Sequence, residues 1–197
     1  MSHYFIEDNS LKHHVVSKDV FIKTNKLSFF TDNGVFSKKG LDFGTRSLLE
    51  SLPDDIHGDV LDFGCGYGPV GIYLKKVYDC NVDMLDINER SINLAIKNAK
   101  LNDVEVNVFK SDIYENVTKK YDFIITNPPI RVGKKILYKI LFEAREHMKK
   151  NGTMYLVINK DQGAKSVMKD LEESYKVSLV DKNKGFYIIK AENRLTK

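Results

Sequence analysis

The stretch VLDFGCGYGPVG, residues 60–71, decides the fold of this chain. An apolar run ends in an acid, Asp62, and a helical pattern begins near residue 70, which predicts a strand followed by a helix. Four glycines lie in and just after the turn between them: Gly64, Gly66, Gly68 and Gly71. Glycine permits positive φ angles and lets a ligand approach the backbone without meeting a Cβ atom, so we expect this loop to bind a ligand.

The acid at the end of the strand indicates which ligand the loop binds. Residues 66–71 fit the dinucleotide fingerprint GxGxxG, which is a weak signal when taken alone. The carboxylate of Asp62 stands just ahead of the glycines, where it would repel a pyrophosphate but suits a ligand with an ammonium group and no phosphates. We therefore expect S-adenosylmethionine, bound by Asp62, Gly64, Gly66 and Gly68.

Strand and helix patterns alternate from residue 59 to the end of the chain. Strands are predicted over residues 60–63, 82–86, 104–109, 121–126 and 153–158. Helices are predicted over residues 70–78, 89–101, 134–149 and 162–175, and Gly152 is a stop signal after the third. Residues 177–181 and 186–190 predict a final hairpin. The alternation predicts an α/β fold with a doubly wound, mostly parallel sheet, in which ligands bind beyond the carboxyl ends of the strands.

The N-terminal part of the chain has a different pattern. β-prone runs at residues 20–23 and 27–31 flank residues 24–26 and predict a hairpin. Basic and aromatic residues are interleaved here, an arrangement that either binds nucleic acid or covers the edge of a core. A short helix is predicted over residues 46–52, and Thr45 or Asp42 is its expected cap.

Two further acids follow predicted strands. Asp86 ends the second strand, and its carboxylate can accept hydrogen bonds from the two hydroxyls of a ribose. Asp112 follows the third strand, where it either accepts from an adenine amino group or serves as a turn residue or helix cap. We also place Ile87 and Ile113, the neighbours of these acids, in the expected cofactor site.

The motif after the fourth strand is Asn127, Pro128, Pro129 and Ile130. Two successive prolines fix φ and hold their carbonyls in a rigid array, beside a carboxamide oxygen. Two such acceptors can bind the two hydrogens of a planar amino group and turn its nitrogen lone pair toward an electrophilic methyl group. A simple loop is the alternative interpretation, but the position after the fourth strand favours a catalytic role for these four residues.

Composition narrows the class of protein. The 197 residues carry a net charge of +4, which permits an acidic partner such as RNA. No apolar run approaches the roughly 20 residues of a membrane span, and the first residues lack the apolar region of a secretory signal, so we expect a cytoplasmic protein. Two cysteines, and paired histidines without ligand spacing, predict no metal site.

Together these motifs resemble the class I S-adenosylmethionine-dependent methyltransferases, and within them the small-domain group related to the ribosomal RNA small-subunit guanine-N2 methyltransferases. The residues that carry the resemblance are 34–37, 42–45, 60–71, Asp86, Asp112 and 127–130. The resemblance implies a seven-stranded sheet in the order 3-2-1-4-5-7-6 with the last strand antiparallel, and cofactor contacts near the acids and glycines named above. We add Thr45 to the expected cofactor site. The predicted division is a hairpin extension, residues 1–40, and a methyltransferase domain, residues 41–197.

One position departs from the pattern of this group. The fourth residue of the motif is usually Phe or Tyr, which stacks on the target base, and here it is Ile130. A guanidinium plane or an aromatic ring from another segment could stack instead. The expected substrate-binding residues are therefore Arg131, Lys134, Lys135, Phe36 and Phe43.

The leading hypothesis is methyl transfer to an exocyclic base amine of RNA, most specifically guanine N2 in ribosomal RNA. A protein-glutamine N-methyltransferase is the enzymatic alternative, because a glutamine amide is also a planar amino group. A non-catalytic nucleotide-binding or RNA-binding module is an alternative of another class. A nicotinamide dehydrogenase is disfavoured by the position of Asp62.

Overall fold

A seven-stranded sheet forms the centre of the computed structural model, which describes residues 16–31 and 41–193. Its strands are β3 (Gly58–Phe63), β4 (Cys80–Asp86), β5 (Asn107–Lys110), β6 (Tyr121–Thr126), β7 (Met148–Asn159), β8 (Tyr175–Asn183) and β9 (Phe186–Asn193). Their spatial order is β5-β4-β3-β6-β7-β9-β8. Strand β9 runs antiparallel to both of its neighbours, and the remaining pairs are parallel. The predicted order and the antiparallel last strand are confirmed.

Helices cover both faces of the sheet. They are α1 (Phe43–Ser51), α2 (Pro69–Val77), α3 (Glu89–Leu101), α4 (Lys134–Glu143) and α5 (Ala164–Leu171). Helices α1 to α3 pack in one hydrophobic cluster and α4 and α5 in a second. Adjacent residues of β3 point to opposite faces, so Val60 belongs to the first cluster and Leu61 to the second. Burial on both faces explains the continuous apolar runs of the parallel strands.

The third predicted helix was too long, and Gly152 does not end it. Helix α4 ends at Glu143, a 3-10 turn covers Ala144–His147, and β7 already begins at Met148. Gly152 lies inside β7, where a Cβ atom would stand 2.8 Å from the Cβ of Met148 and 3.0 Å from the carbonyl oxygen of Tyr121. The register with β6 shifts here, so this glycine serves an irregularity of the strand.

The predicted N-terminal hairpin is present, with longer strands than expected. Strands β1 (Val16–Ile22) and β2 (Asn25–Thr31) pair antiparallel around a two-residue turn, in which Lys23 has a φ of 49°. Buried side chains of the hairpin, such as Ile22 and Phe29, join the first hydrophobic cluster. The predicted boundary at residue 40 lies outside the described residues and stays a prediction.

Two asparagines of α3 bind the backbone of β2. Asn98 accepts from the Phe30 N–H at 2.7 Å and donates to the Phe30 carbonyl at 2.9 Å. Asn102 makes the same pair of bonds with Ser28, at 3.0 and 2.8 Å. Each carboxamide thus supplies the donor and acceptor that a further strand would otherwise present to β2. None of the described helices is long and apolar enough to cross a membrane.

Candidate active site

The glycine loop between β3 and α2 leaves open space at two of its positions. Gly64 and Gly66 have φ angles of 71° and 56°, and a Cβ atom built on either would meet nothing within 4 Å. Hydrogen bonds hold the loop in place, because the Cys65 N–H donates to the Leu85 carbonyl at 2.8 Å and the Gly66 N–H donates to the Asp86 carboxylate at 2.9 Å. A ligand can therefore approach the backbone of Gly64 and Gly66 closely.

The next two glycines serve packing. A Cβ atom at Gly68 would lie 2.9 Å from side-chain atoms of Ile72 and Met84, and one at Gly71 would lie 2.6 Å from Met84. The N–H of Gly68 donates to the Cys65 carbonyl at 2.9 Å, within the loop. Because neither glycine carries a Cβ atom, α2 can approach β4 closely. Gly68, predicted to bind the cofactor, thus has a packing role in the structure.

Asp62 is buried directly beneath the loop. Its carboxylate accepts a hydrogen bond of 2.8 Å from the Gly71 N–H at the start of α2. Burial raises the pKa of this carboxyl to about 7, and the charge of Asp86 adds to that effect, while the bond from Gly71 opposes it. Asp62 therefore links the end of β3 to α2, and its predicted contact with a ligand's ammonium group stays a prediction.

Asp86 lies at the carboxyl end of β4, beside the loop. One carboxylate oxygen accepts from Gly66 at 2.9 Å, and the other accepts from the Asn88 N–H at 2.9 Å. Burial raises its pKa, although these backbone hydrogen bonds favour the charged form. Asp86 and its half-buried neighbour Ile87 are thus positioned at the same end of the sheet as the open glycines.

The predicted adenine-binding segment follows β5, which is the neighbour of β4 in the sheet. The Asp112 side chain is exposed, and its carbonyl accepts a turn bond from the Glu115 N–H at 3.1 Å. Ile113 is half-buried and has a φ of 52°, which is unusual for a β-branched residue. The structure brings this segment to the carboxyl edge shared with Asp86, and its contact with adenine stays a prediction.

Asn127 lies just after β6, which pairs with β3 in the middle of the sheet. Its amide nitrogen donates to the Thr45 hydroxyl at 3.0 Å and to the Asp42 carboxylate at 3.4 Å, both at the start of α1. Its carboxamide oxygen accepts no hydrogen bond from any residue that the structure describes. Thr45 is buried and its hydroxyl oxygen accepts from Asn127, while its predicted contact with the cofactor stays a prediction.

Of the residues that follow Asn127 in the motif, Pro128 has a free carbonyl among the described residues, whereas Pro129 and Ile130 take part in local structure and packing. No residue of the described part donates to the Pro128 carbonyl, whereas the Pro129 carbonyl accepts from the Val132 N–H at 3.3 Å. Ile130 packs at the margin of the second hydrophobic cluster and begins a 3-10 turn that ends at Val132. Ile130 thus contributes to packing, and its predicted place in the catalytic motif stays a prediction.

An aromatic pair lies beside Thr45. The rings of Phe43 and Phe186 have centroids 5.7 Å apart, and the Lys184 ammonium lies 5.0 Å from the centre of the Phe43 ring. A Cβ atom at Gly44 would be 2.9 Å from the Phe186 ring, so this ring lies directly against the backbone of α1. The predicted substrate-binding role of Phe43 stays a prediction. Its contacts with Phe186 and Lys184 were not predicted, because nothing local marks a phenylalanine at the start of β9 as a neighbour of α1.

The remaining predicted substrate residues lie around the start of α4. The side chains of Arg131, Lys134 and Lys135 are exposed, and the Lys134 ammonium is 4.8 Å from the centre of the Tyr138 ring. Phe36 lies outside the described residues. Within residues 16–31 and 41–193, no cluster of three His, Cys, Asp or Glu side chains could hold a metal ion.

Known proteins resemble this chain in both sequence and fold. The family model described as methyltransferase small domain matches residues 26–190. The uncharacterized protein YbxB of Bacillus subtilis is 42% identical over 196 residues, which cover 96% of this chain and 98% of that protein. The ribosomal RNA small subunit methyltransferase C of Psychromonas ingrahamii is 36% identical over 144 residues, which cover 71% of this chain. The match covers 41% of that relative, so the chain spans only part of its length.

A solved structure shares the fold. The Thermus thermophilus 16S rRNA N2 G1207 methyltransferase RsmC, in complex with AdoMet and guanosine, superposes with a TM-score of 0.82 at 24% identity. The superposition covers 91% of this chain and 51% of that one. The family model and the full-length relative decide the classification. The chain belongs to the methyltransferase small domain family and is an S-adenosylmethionine-dependent methyltransferase.

Proposed function

We propose that this protein methylates an exocyclic base amine of RNA, and that guanine N2 of ribosomal RNA is its target. The observation that carries the proposal is the carboxamide of Asn127, whose N–H groups are bound by α1 while its oxygen accepts from no described residue. An acceptor of this kind suits the N–H of a planar amine. The ribosomal RNA methyltransferase relative supports the choice of RNA.

The residues around the glycine loop fit the cofactor. Gly64 and Gly66 leave room where a Cβ atom would otherwise stand, and the carboxylate of Asp86 lies beside them to accept from ribose hydroxyls. The Asp62 carboxyl lies under the loop, and pairing with the ammonium group of the methionine portion would favour its charged form. When bound, S-adenosylmethionine supplies a methyl group on a sulfonium, which is electrophilic enough to need no metal ion.

Asn127 and Pro128 supply the acceptors for the substrate amine. With one N–H on the Asn127 carboxamide oxygen and the other on the Pro128 carbonyl, the nitrogen lone pair points out of the amine plane toward the methyl carbon. The C–N bond forms as the C–S bond breaks and its electron pair stays on sulfur. The extra proton leaves the methylated nitrogen afterwards, so orientation rather than a strong base is the contribution of these residues.

The aromatic pair supplies a face for the base. Phe43 and Phe186 lie next to Thr45, which contacts Asn127, so a base stacked on either ring would be close to the carboxamide. Lys184 over the Phe43 ring adds positive charge for a nearby phosphate. We assign to this pair the stacking role that an aromatic residue at the Ile130 position would otherwise have.

Protein glutamine remains the rival substrate, because its amide is also planar. Positive charge favours RNA over a neutral amide: the exposed cations near the motif are Arg131, Lys134, Lys135 and Lys184. These side chains can hold phosphates on the side of the sheet where the strands end.

The test is transfer of a labelled methyl group to total RNA, ribosomal subunits and protein fractions, each compared for the wild type and Asn127→Ala. We expect labelled N2-methylguanosine after digestion of the RNA, and a loss of about a hundredfold in rate for Asn127→Ala. Calorimetry should show that S-adenosylmethionine affinity is nearly unchanged. Asn93→Ala, at an exposed asparagine of α3, is the control with wild-type activity. Label in protein glutamine, or at another atom of RNA, would refute the substrate.

A further inference from the structure

A chain of three polar side chains connects the start of α1 to the candidate catalytic amide. Asp42 is the N-cap of α1 and accepts from the Thr45 N–H at 3.1 Å through one carboxylate oxygen. Its other oxygen accepts from the Thr45 hydroxyl at 2.5 Å. The Thr45 oxygen in turn accepts from the Asn127 amide nitrogen at 3.0 Å. Thr45 is only 3% exposed, so its hydroxyl group is shielded from water.

The donors and acceptors of these three side chains permit one arrangement of the hydrogen bonds. A carboxylate only accepts, so the single hydroxyl proton of Thr45 must point to Asp42. The Thr45 oxygen can then only accept on its other side, and Asn127 must present its NH₂ group there. Its carbonyl oxygen therefore faces the opposite way. The Asp42 carboxylate, 3.4 Å from the same nitrogen, favours the same orientation.

We propose that Asp42 and Thr45 are positioning residues that fix the orientation of the Asn127 carboxamide, so that its oxygen faces the substrate amine. The inference rests on the proposed function of Asn127 as an amine acceptor. A carboxamide turned by half a rotation would present an N–H donor to an amine that also donates, and the substrate would lose its acceptor. Thr45 thus acts through Asn127 instead of contacting the cofactor.

Three variants separate this role from simple capping of α1. Thr45→Val keeps the shape of the side chain but removes the hydroxyl, whereas Thr45→Ser keeps the hydroxyl. Asp42→Asn keeps a good N-cap, because Asn and Asp cap helices about equally well. The amide of asparagine at position 42 can donate to the Thr45 oxygen. The Thr45 hydroxyl proton would then point to Asn127, and the direction of both hydrogen bonds would be reversed.

The kinetic test compares kcat, S-adenosylmethionine affinity and thermal stability. We expect Thr45→Val and Asp42→Asn to lower kcat by about tenfold or more, since a catalytic acceptor is no longer held. Cofactor affinity should stay within about twofold and Asp42→Asn should leave the melting temperature nearly unchanged. Thr45→Ser should recover most of the rate. Unchanged kcat in Thr45→Val, or weaker cofactor binding as its main effect, would overturn the proposal.

A second readout does not depend on the substrate. The side-chain amide protons of Asn127, identified in the NMR spectrum by their loss in Asn127→Asp, should exchange slowly with solvent in the wild type. They should exchange faster in Thr45→Val. Equal exchange in both proteins would contradict the bond to Thr45. If the wild type methylates no RNA, the proposed function fails, but the exchange experiment still decides whether Asp42 and Thr45 orient the carboxamide.

Discussion

Asn98 connects the N-terminal hairpin to the glycine loop, and we predict that Asn98→Ala strongly destabilises the protein. The side chain is fully buried on α3. Its carboxamide accepts from the Phe30 N–H at 2.7 Å and donates to two carbonyls, that of Phe30 at 2.9 Å and that of Tyr67 at 2.8 Å. Alanine would break all three bonds at once.

The expected loss follows from these contacts. Each hydrogen bond contributes about 1 kcal/mol net, and a buried group left without a partner costs about 1 to 3 kcal/mol. The Tyr67 carbonyl bond is buried, whereas the groups of Phe30 are only partly buried and can recover some bonding to water. The better helix propensity of alanine returns about 0.5 kcal/mol. The sum is a destabilisation of about 3 to 5 kcal/mol.

Urea unfolding followed by circular dichroism measures this loss, with Asn93→Ala as the matched control. Asn93 lies on the same helix but is exposed, so its replacement should change the free energy of unfolding by no more than about 0.5 kcal/mol. A loss below about 1 kcal/mol for Asn98→Ala would refute the argument, because it would mean that the three bonds contribute almost nothing.

Three further predictions concern the site itself. Asp86→Ala should weaken S-adenosylmethionine binding by about 1 to 3 kcal/mol in calorimetry, since a ribose would lose its acceptor. Burial raises the pKa of Asp62 to about 7, so the folded state holds a proton that the unfolded state releases near pH 4. The free energy of unfolding of the wild type, relative to that of Asp62→Asn, should therefore fall by at most about 4 kcal/mol as pH rises from about 4 to 7. Denaturant titrations measure this difference, and a difference that does not change with pH would contradict the prediction. Replacing Lys134 and Lys135 by Ala should weaken RNA binding and reduce the slope of log affinity against log salt by about 1 to 2, while the same exchange at the two lysines of α5 should not.

The strand order, and the place of the candidate residues at the carboxyl edge of the sheet, could be predicted because their signals are local or shared with a family. Residues 60–71 combine an apolar run with glycines that take positive φ, and both properties act within a few residues of chain. The ends of the elements depend on contacts between segments as well as on local sequence. Gly152 was expected to end a helix because glycine ends many helices, but Met148 already pairs with Tyr121 of β6, so β7 begins before Gly152 and continues through it.

The sequence by itself determined which chemical groups reach the carboxyl edge of the sheet: the loop glycines, Asp86 and the Asn-Pro-Pro motif. Only the tertiary structure decided which of these residues face the open site and which pack against other elements. It showed Gly68 packed against Met84, Phe186 beside Phe43, and Thr45 bonded to Asn127, a residue 82 positions away in the chain. Contacts of this kind depend on how helices settle against the sheet, and neither periodicity nor composition carries a signal for them.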